Sequence, residues 1–110
     1  MKIAELIEKT GWKVLAGDPA AAPEATGVYC GDLLSWVMGN GEPGQIWITV
    51  QVHMNVVAVA MLREFSCLVI ADGAEPSEEM LEKAADEGLT VLASEMPVYE
   101  TAVRITEAGI

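Results

Sequence analysis

Positive charge is scarce in this chain: six Lys and Arg stand against 17 Asp and Glu in 110 residues, giving a formal charge of −11. Nucleic-acid binding needs a basic face that displaces counterions from phosphate, so DNA and RNA are excluded as partners. The same deficit argues against anionic membrane surfaces. Histidine is scarcer still. His53 stands alone, and any imidazole chemistry has to pass through it. The two cysteines, Cys30 and Cys67, form no C-x-x-C or C-x-x-H pair, which leaves a structural zinc or other metal site without a ligand set. Set among apolar neighbours, they read as two reduced, buried thiols of a cytoplasmic protein.

Long apolar runs are also missing. The longest, Val56 to Leu62, falls far short of the ~20 residues a membrane span needs. Met1-Lys2-Ile3-Ala4-Glu5 places an acid where a secretory signal carries its apolar segment. No G-x-x-x-x-G-K-[ST] occurs, so the usual triphosphate cradle is absent. Gly39-Asn40-Gly41-Glu42-Pro43-Gly44 matches G-x-G-x-x-G in letters only. A dinucleotide fingerprint follows a strand and opens a helix, whereas this stretch follows a helix and leads into a strand. It reads as a helix-to-strand turn.

What is present is a globular composition, 52% hydrophobic, and a length that suits one domain over residues 1–110. Ser77-Glu78-Glu79 supplies an N-cap hydroxyl and two acids for a helix that Gly88 stops. Ile3, Leu6 and Ile7 mark a first helix closing at Thr10-Gly11. A last helix begins near Pro97, and a short one follows Asp32. Between them lie β-rich runs: Lys13 to Ala16, Thr26 to Cys30, Gln45 to Val50, Cys67 to Ala71 and Thr90 to Ala93. Alternation from Gln45 to Asn55 suggests one long strand, but the Ala, Met and Leu that follow favour helix. We therefore place the strand end near Val50 to Val52 and a buried helix from Asn55 to Glu64. The rhythm is that of an α/β fold: a three-layer sandwich around a mostly parallel sheet of about five short strands.

Ligands of such sheets collect beyond the carboxyl ends of strands. That rule picks out Thr26, Asp32, Gln51, His53, Asn55, Ser94 and Glu95 as a polar rim. Each also has a structural reading, Asp32 as the cap of the following helix and Asp72-Gly73 as a turn. A cation site from Asp32, His53 and Glu95 is chemically conceivable, though the spacing is not diagnostic. Seven acids fall between Asp72 and Glu87, opposed only by Lys83. They form a solvated helix face or an acidic docking surface. Trp36 and Trp47 flank the glycine turn and either pack on each other or cover a partner. An exposed apolar remainder in so small a domain favours a homodimer.

Thr26-Gly27-Val28-Tyr29-Cys30-Gly31, Gly44-Gln45-Ile46-Trp47-Ile48-Thr49, Leu68-Val69-Ile70-Ala71-Asp72-Gly73 and Val91-Leu92-Ala93-Ser94 together resemble the DRTGG domain. The name-giving motif is degraded here to Glu24-Ala25-Thr26-Gly27-Val28, without its arginine and second glycine. The resemblance implies a fold like the amino-terminal domains of HPr kinase/phosphorylase and Mur ligases. It implies no kinase activity, because phosphoryl chemistry there belongs to a separate P-loop domain. The family also accompanies phosphotransacetylase and CBS-domain pyrophosphatase modules. The expectation is a stand-alone, non-catalytic regulatory module, homodimeric, sensing a small-molecule or nucleotide ligand for a metabolic or signalling enzyme. Thr26, Gly27, Asp32, His53 and Asn55 are the first candidates for that site, with Gln51, Ser94 and Glu95 beside them; no cofactor is indicated. The alternatives are a protein-interaction scaffold, or a phosphotransfer or hydrolytic enzyme acting through His53.

Overall fold

The computed structural model describes residues 1–110 as alternating helices and strands. In chain order these are α1 (Ile3–Thr10), β1 (Lys13–Ala16), β2 (Gly27–Cys30), α2 (Leu34–Asn40), β3 (Gln45–Thr49), α3 (Asn55–Leu62), β4 (Cys67–Ile70), α4 (Glu78–Glu87), β5 (Val91–Ala93) and α5 (Val98–Ala108). The local signals act as their chemistry dictates. The Ser77 hydroxyl accepts from the Met80 N–H at 3.2 Å, and Gly88 ends α4 in the left-handed conformation at φ 77°. Gly11 ends α1 in the same way.

The five strands form one sheet in the order β1-β5-β4-β3-β2. All neighbours are parallel except β1, which runs antiparallel to β5 along one edge. Strands β2 to β5 step across the sheet in chain order, so crossovers of one hand carry α2, α3 and α4 to a single face. There Val37, Val56, Val57, Ala60, Met80 and Ala84 pack on Trp47, Leu68, Ile70 and Val91. The other face belongs to the chain's two ends. Ile3 and Leu6 of α1 and Ile105 and Ala108 of α5 cover Ile46, Ile48, Cys67, Val69 and Leu92. Both faces of the central strands are thus dry, which is why Cys67-Leu68-Val69-Ile70 is apolar throughout. Each fully buried Ile, Leu or Val contributes about 1.5–3 kcal/mol.

The expected three-layer, mostly parallel α/β fold is the one observed, and four local expectations are corrected. The third strand stops at Thr49, before Val50, because Thr49 Oγ1 turns back to accept from the Gln51 N–H at 3.1 Å. Only Cys67 is buried. Cys30 is exposed because β2 is an edge strand. Asp32 does not cap α2, whose N-cap is Leu33 without a side-chain hydrogen bond. Trp36 and Trp47 do not meet: Trp47 is buried against Phe65, ring centres 5.5 Å apart, whereas Trp36 remains 65% exposed.

Candidate functional site

The carboxyl edge of the sheet is built from the ends of β2, β3, β4 and β5, together with Lys13 at the start of antiparallel β1, paired with Ala93. Its side chains fall into two groups. Asp32, Gln51, His53 and Asn55 follow β2 and β3, whereas Ser94 and Glu95 follow β5. Three strand spacings, about 14 Å, separate the ends of β2 and β5. The structure brings no three metal-ligating side chains together, so Asp32, His53 and Glu95 do not form a cation site.

The first group is tied down by hydrogen bonds. Asp32 Oδ1 accepts from Thr49 Oγ1 at 2.7 Å and from the Val50 N–H at 2.9 Å. Gln51 Nε2 donates to the Asp32 carbonyl at 3.2 Å, and Trp47 Nε1 donates to the Gly31 carbonyl at 2.9 Å. These bonds join the β2–α2 loop to the end of β3. His53 Nδ1 accepts from the Asn55 N–H at 3.0 Å at the start of α3. The exposed His53 and Asn55 rings and amides therefore offer only Nε2 and the Asn55 side chain to solvent.

In the second group Ser94 is buried and occupied. Its hydroxyl pairs with Thr101 Oγ1 at 2.8 Å and accepts from the Met96 N–H at 3.1 Å. The loop after β4 is a tight turn, with Asp72 at φ 63°, Gly73 at φ 66° and the Ala74 N–H donating to the Ala71 carbonyl. Asp-Gly suits this paired left-handed geometry, as the sequence suggested. The turn is fastened to the neighbouring loop by the Asp72 N–H to the Met96 carbonyl at 2.7 Å and the Gly73 N–H to the Ser94 carbonyl at 3.1 Å. A Cβ on Gly73 would lie 2.8 Å from Glu95 Oε2, the movable end of an exposed side chain, so it is the turn's positive φ that calls for glycine.

After β4 the chain enters α4 on one face; after β5 it enters α5 on the other. On the α4 side a crevice lies at the strand ends, between β1, the turn after β4 and α4, near the usual place for a ligand in such a sheet. The crevice holds about 300 Å³ and is lined by Lys13, Leu15, Gly73, Glu75, Leu81 and Glu95, among others. Lys13 takes part in neither ion pair of the molecule, Lys9–Glu5 and Lys83–Glu87. An unpaired ammonium and two carboxylates thus surround an apolar floor of Leu15 and Leu81. Of the rim residues expected from the sequence, Glu95 alone lines this crevice. Lys13 was not legible because its position depends on β1 running antiparallel. Glu75 was concealed in the acidic run before α4.

Thr26 and Gly27 depart from the expected rim. They stand at the entry to β2, where the Thr26 N–H donates to the Gly44 carbonyl and Gly27 pairs with Gln45, at the amino-terminal edge of the sheet. There Thr26 Oγ1 stands 2.6 Å from where a Cβ on Gly44 would be. The motif glycine turn therefore packs against the next strand's entry, away from the crevice.

No helix is long and apolar enough to cross a membrane. No curated protein matches the chain. A solved structure does: the CBS and DRTGG domains of the regulatory region of Clostridium perfringens pyrophosphatase, complexed with its activator diadenosine tetraphosphate. The two share 14% sequence identity and a TM-score of 0.74, over 97% of this chain and 46% of that regulatory-region chain. The present chain thus spans less than half of that one, and the likeness is one of fold. The family model of the DRTGG domain matches residues 5–108, nearly the whole of the sheet and its helices. The chain belongs to the DRTGG domain family.

Proposed function

We propose that this domain is a non-catalytic regulatory module that binds a small molecule at the carboxyl edge of its sheet, works as a homodimer and acts on a metabolic or signalling enzyme. The observation that supports this reading is its likeness, over 97% of its length, to part of a regulatory region crystallised with a nucleotide activator. The site chemistry agrees. His53 Nδ1 accepts from the Asn55 N–H, and neither a second base nor a nucleophile is hydrogen-bonded to it. In the crevice, Lys13 meets an anionic group while Glu75 and Glu95 accept from donors such as the exocyclic amine of a nucleobase. Gln51, His53 and Asn55 contribute a second set of polar atoms along the same edge.

The test is a thermal-shift screen of metabolites and nucleotides on the wild type, Lys13→Ala and Glu95→Gln. A ligand at about a hundred times its Kd stabilises by about 2.7 kcal/mol, which moves Tm by roughly 10–20 °C in a domain of this size. Both variants should lose most of that shift. If no compound raises Tm while the dimer persists, the ligand half of the reading falls.

An interaction scaffold is the second reading, favoured by one feature. Glu78, Glu79, Glu82, Asp86 and Glu87 of α4 are all exposed, with Lys83 the only cation among them. A basic partner held there would dissociate as salt rises.

A further inference from the structure

We infer that a second copy of this chain adds to the sheet along β2, joining the two sheets edge to edge and packing α2 against the partner's α2. This rests on the homodimer proposed above and names its interface.

The two edges of the sheet differ. Natural sheets protect an exposed edge with charge, proline or a bulge. At β1 the protection is present: Lys13 opens the strand, and its register with β5 slips between Val14 and Ala16. Strand β2 has none of these. Gly27-Val28-Tyr29-Cys30 is uncharged, free of proline and in regular register with β3. Because the Gly31 N–H donates to the Ile48 carbonyl on the β3 side, alternation along the β2–β3 register turns the backbone groups of Val28 and Cys30 outward. An outward row of donors and acceptors is self-complementary to an antiparallel copy of itself.

Helix α2 supplies the second observation. An antiparallel edge-to-edge pair has its two-fold axis perpendicular to the sheet, so like faces stay together and α2 lies beside its own equivalent. Leu33, at the head of that helix, and Trp36 within it are each 65% exposed. Burial against a symmetry mate would remove both from water.

Charge selects the occupant. Residues 25–41 contain a single charged side chain, Asp32, which already receives Thr49 and Val50. In a molecule of net charge −11, this is a surface that two copies can share with few close charges. Another exposed apolar group, Met96, Tyr99 and Val103, is interleaved with Glu100, Arg104 and Glu107 and lacks that neutrality.

The experiment is sedimentation velocity on the full chain, with Trp36→Glu, Leu33→Glu and Tyr99→Glu compared by circular dichroism for intact fold. The wild type should be a dimer. Trp36→Glu and Leu33→Glu should each weaken dimerisation by at least about tenfold, and Tyr99→Glu should leave it unchanged. Amide exchange by NMR should find Val28 and Cys30 protected in the wild type and fast in Trp36→Glu. A wild type that stays monomeric overturns the homodimer and this interface together. A dimer that survives Trp36→Glu and Leu33→Glu, or whose Val28 and Cys30 amides exchange freely, overturns the β2 interface alone.

Discussion

Thr49 and Asp32, 17 positions apart in sequence, are joined by a 2.7 Å hydrogen bond from Oγ1 to Oδ1, and the Val50 N–H reaches the same oxygen. Thr49 is fully buried, so its hydroxyl has no water to fall back on. Asp32→Ala should therefore destabilise the domain by about 1–3 kcal/mol, the cost of stranding a buried donor. Asp32→Asn retains an oxygen in the same place and should cost less. Urea unfolding of the two variants measures the difference, and equal losses would show that the bond to Thr49 does not matter.

The same carboxylate reaches the chemistry of Cys30. That thiol is held above its ordinary value of 9.0, first by partial burial and second by the negative charge of Asp32. Less thiolate is then available near neutral pH, and alkylation is slow. Asp32→Asn removes the charge but leaves the burial, so iodoacetamide should modify Cys30 faster at pH 8 while remaining slower than in the unfolded chain. An unchanged rate would remove Asp32 as a cause.

Much of this was written locally in the sequence. Ser77 and Gly88 bound α4, Gly11 ends α1, and the dry strand Cys67 to Ile70 announces helices on both faces. What could not be read depends on strand order and direction. Cys30 is exposed because β2 happens to be an edge, and Lys13 reaches the crevice because β1 is reversed. Asp32 shows the same limit at one residue. Its position before a helix favours a cap, but the buried Thr49 hydroxyl on the neighbouring strand outbids the helix end. Thr26 and Gly27 were grouped with residues at strand exits, although they stand at a strand entry.

Two glycines with nearly equal backbone angles should respond differently to alanine. Gly11 has φ 73° and nothing within 4 Å of a would-be Cβ, whereas Gly17 has φ 82° with the Leu89 carbonyl and Thr90 Cα each 2.6 Å away. Gly11→Ala carries only the left-handed cost of about 1–2 kcal/mol. Gly17→Ala adds a clash with backbone that cannot rotate aside, so its loss should be clearly larger, with Tm falling by roughly 4–8 °C per kcal/mol. Equal melting temperatures would mean that the Gly17 loop moves off β5 at little cost.

Cys67 predicts how stability falls in alkali. Complete burial pushes its thiol from 9.0 up to about 12. Below pH 9 the thiol is protonated in both folded and unfolded chains and has no effect on the balance. Above pH 9 the unfolded chain loses the proton while the folded one keeps it, so ionisation favours unfolding. Stability therefore drops by about 1.4 kcal/mol per pH unit from this group, levelling off near pH 12. Lysines and tyrosines also titrate in that range, and Cys67→Ala isolates the thiol. The wild type should exceed Cys67→Ala in stability at pH 8, because the variant leaves a small void. By pH 10.5 that margin should shrink by about 2 kcal/mol. A margin that is constant from pH 8 to 10.5 in urea unfolding would show that Cys67 ionises alike in both states, and hence that the sheet does not shield it from water.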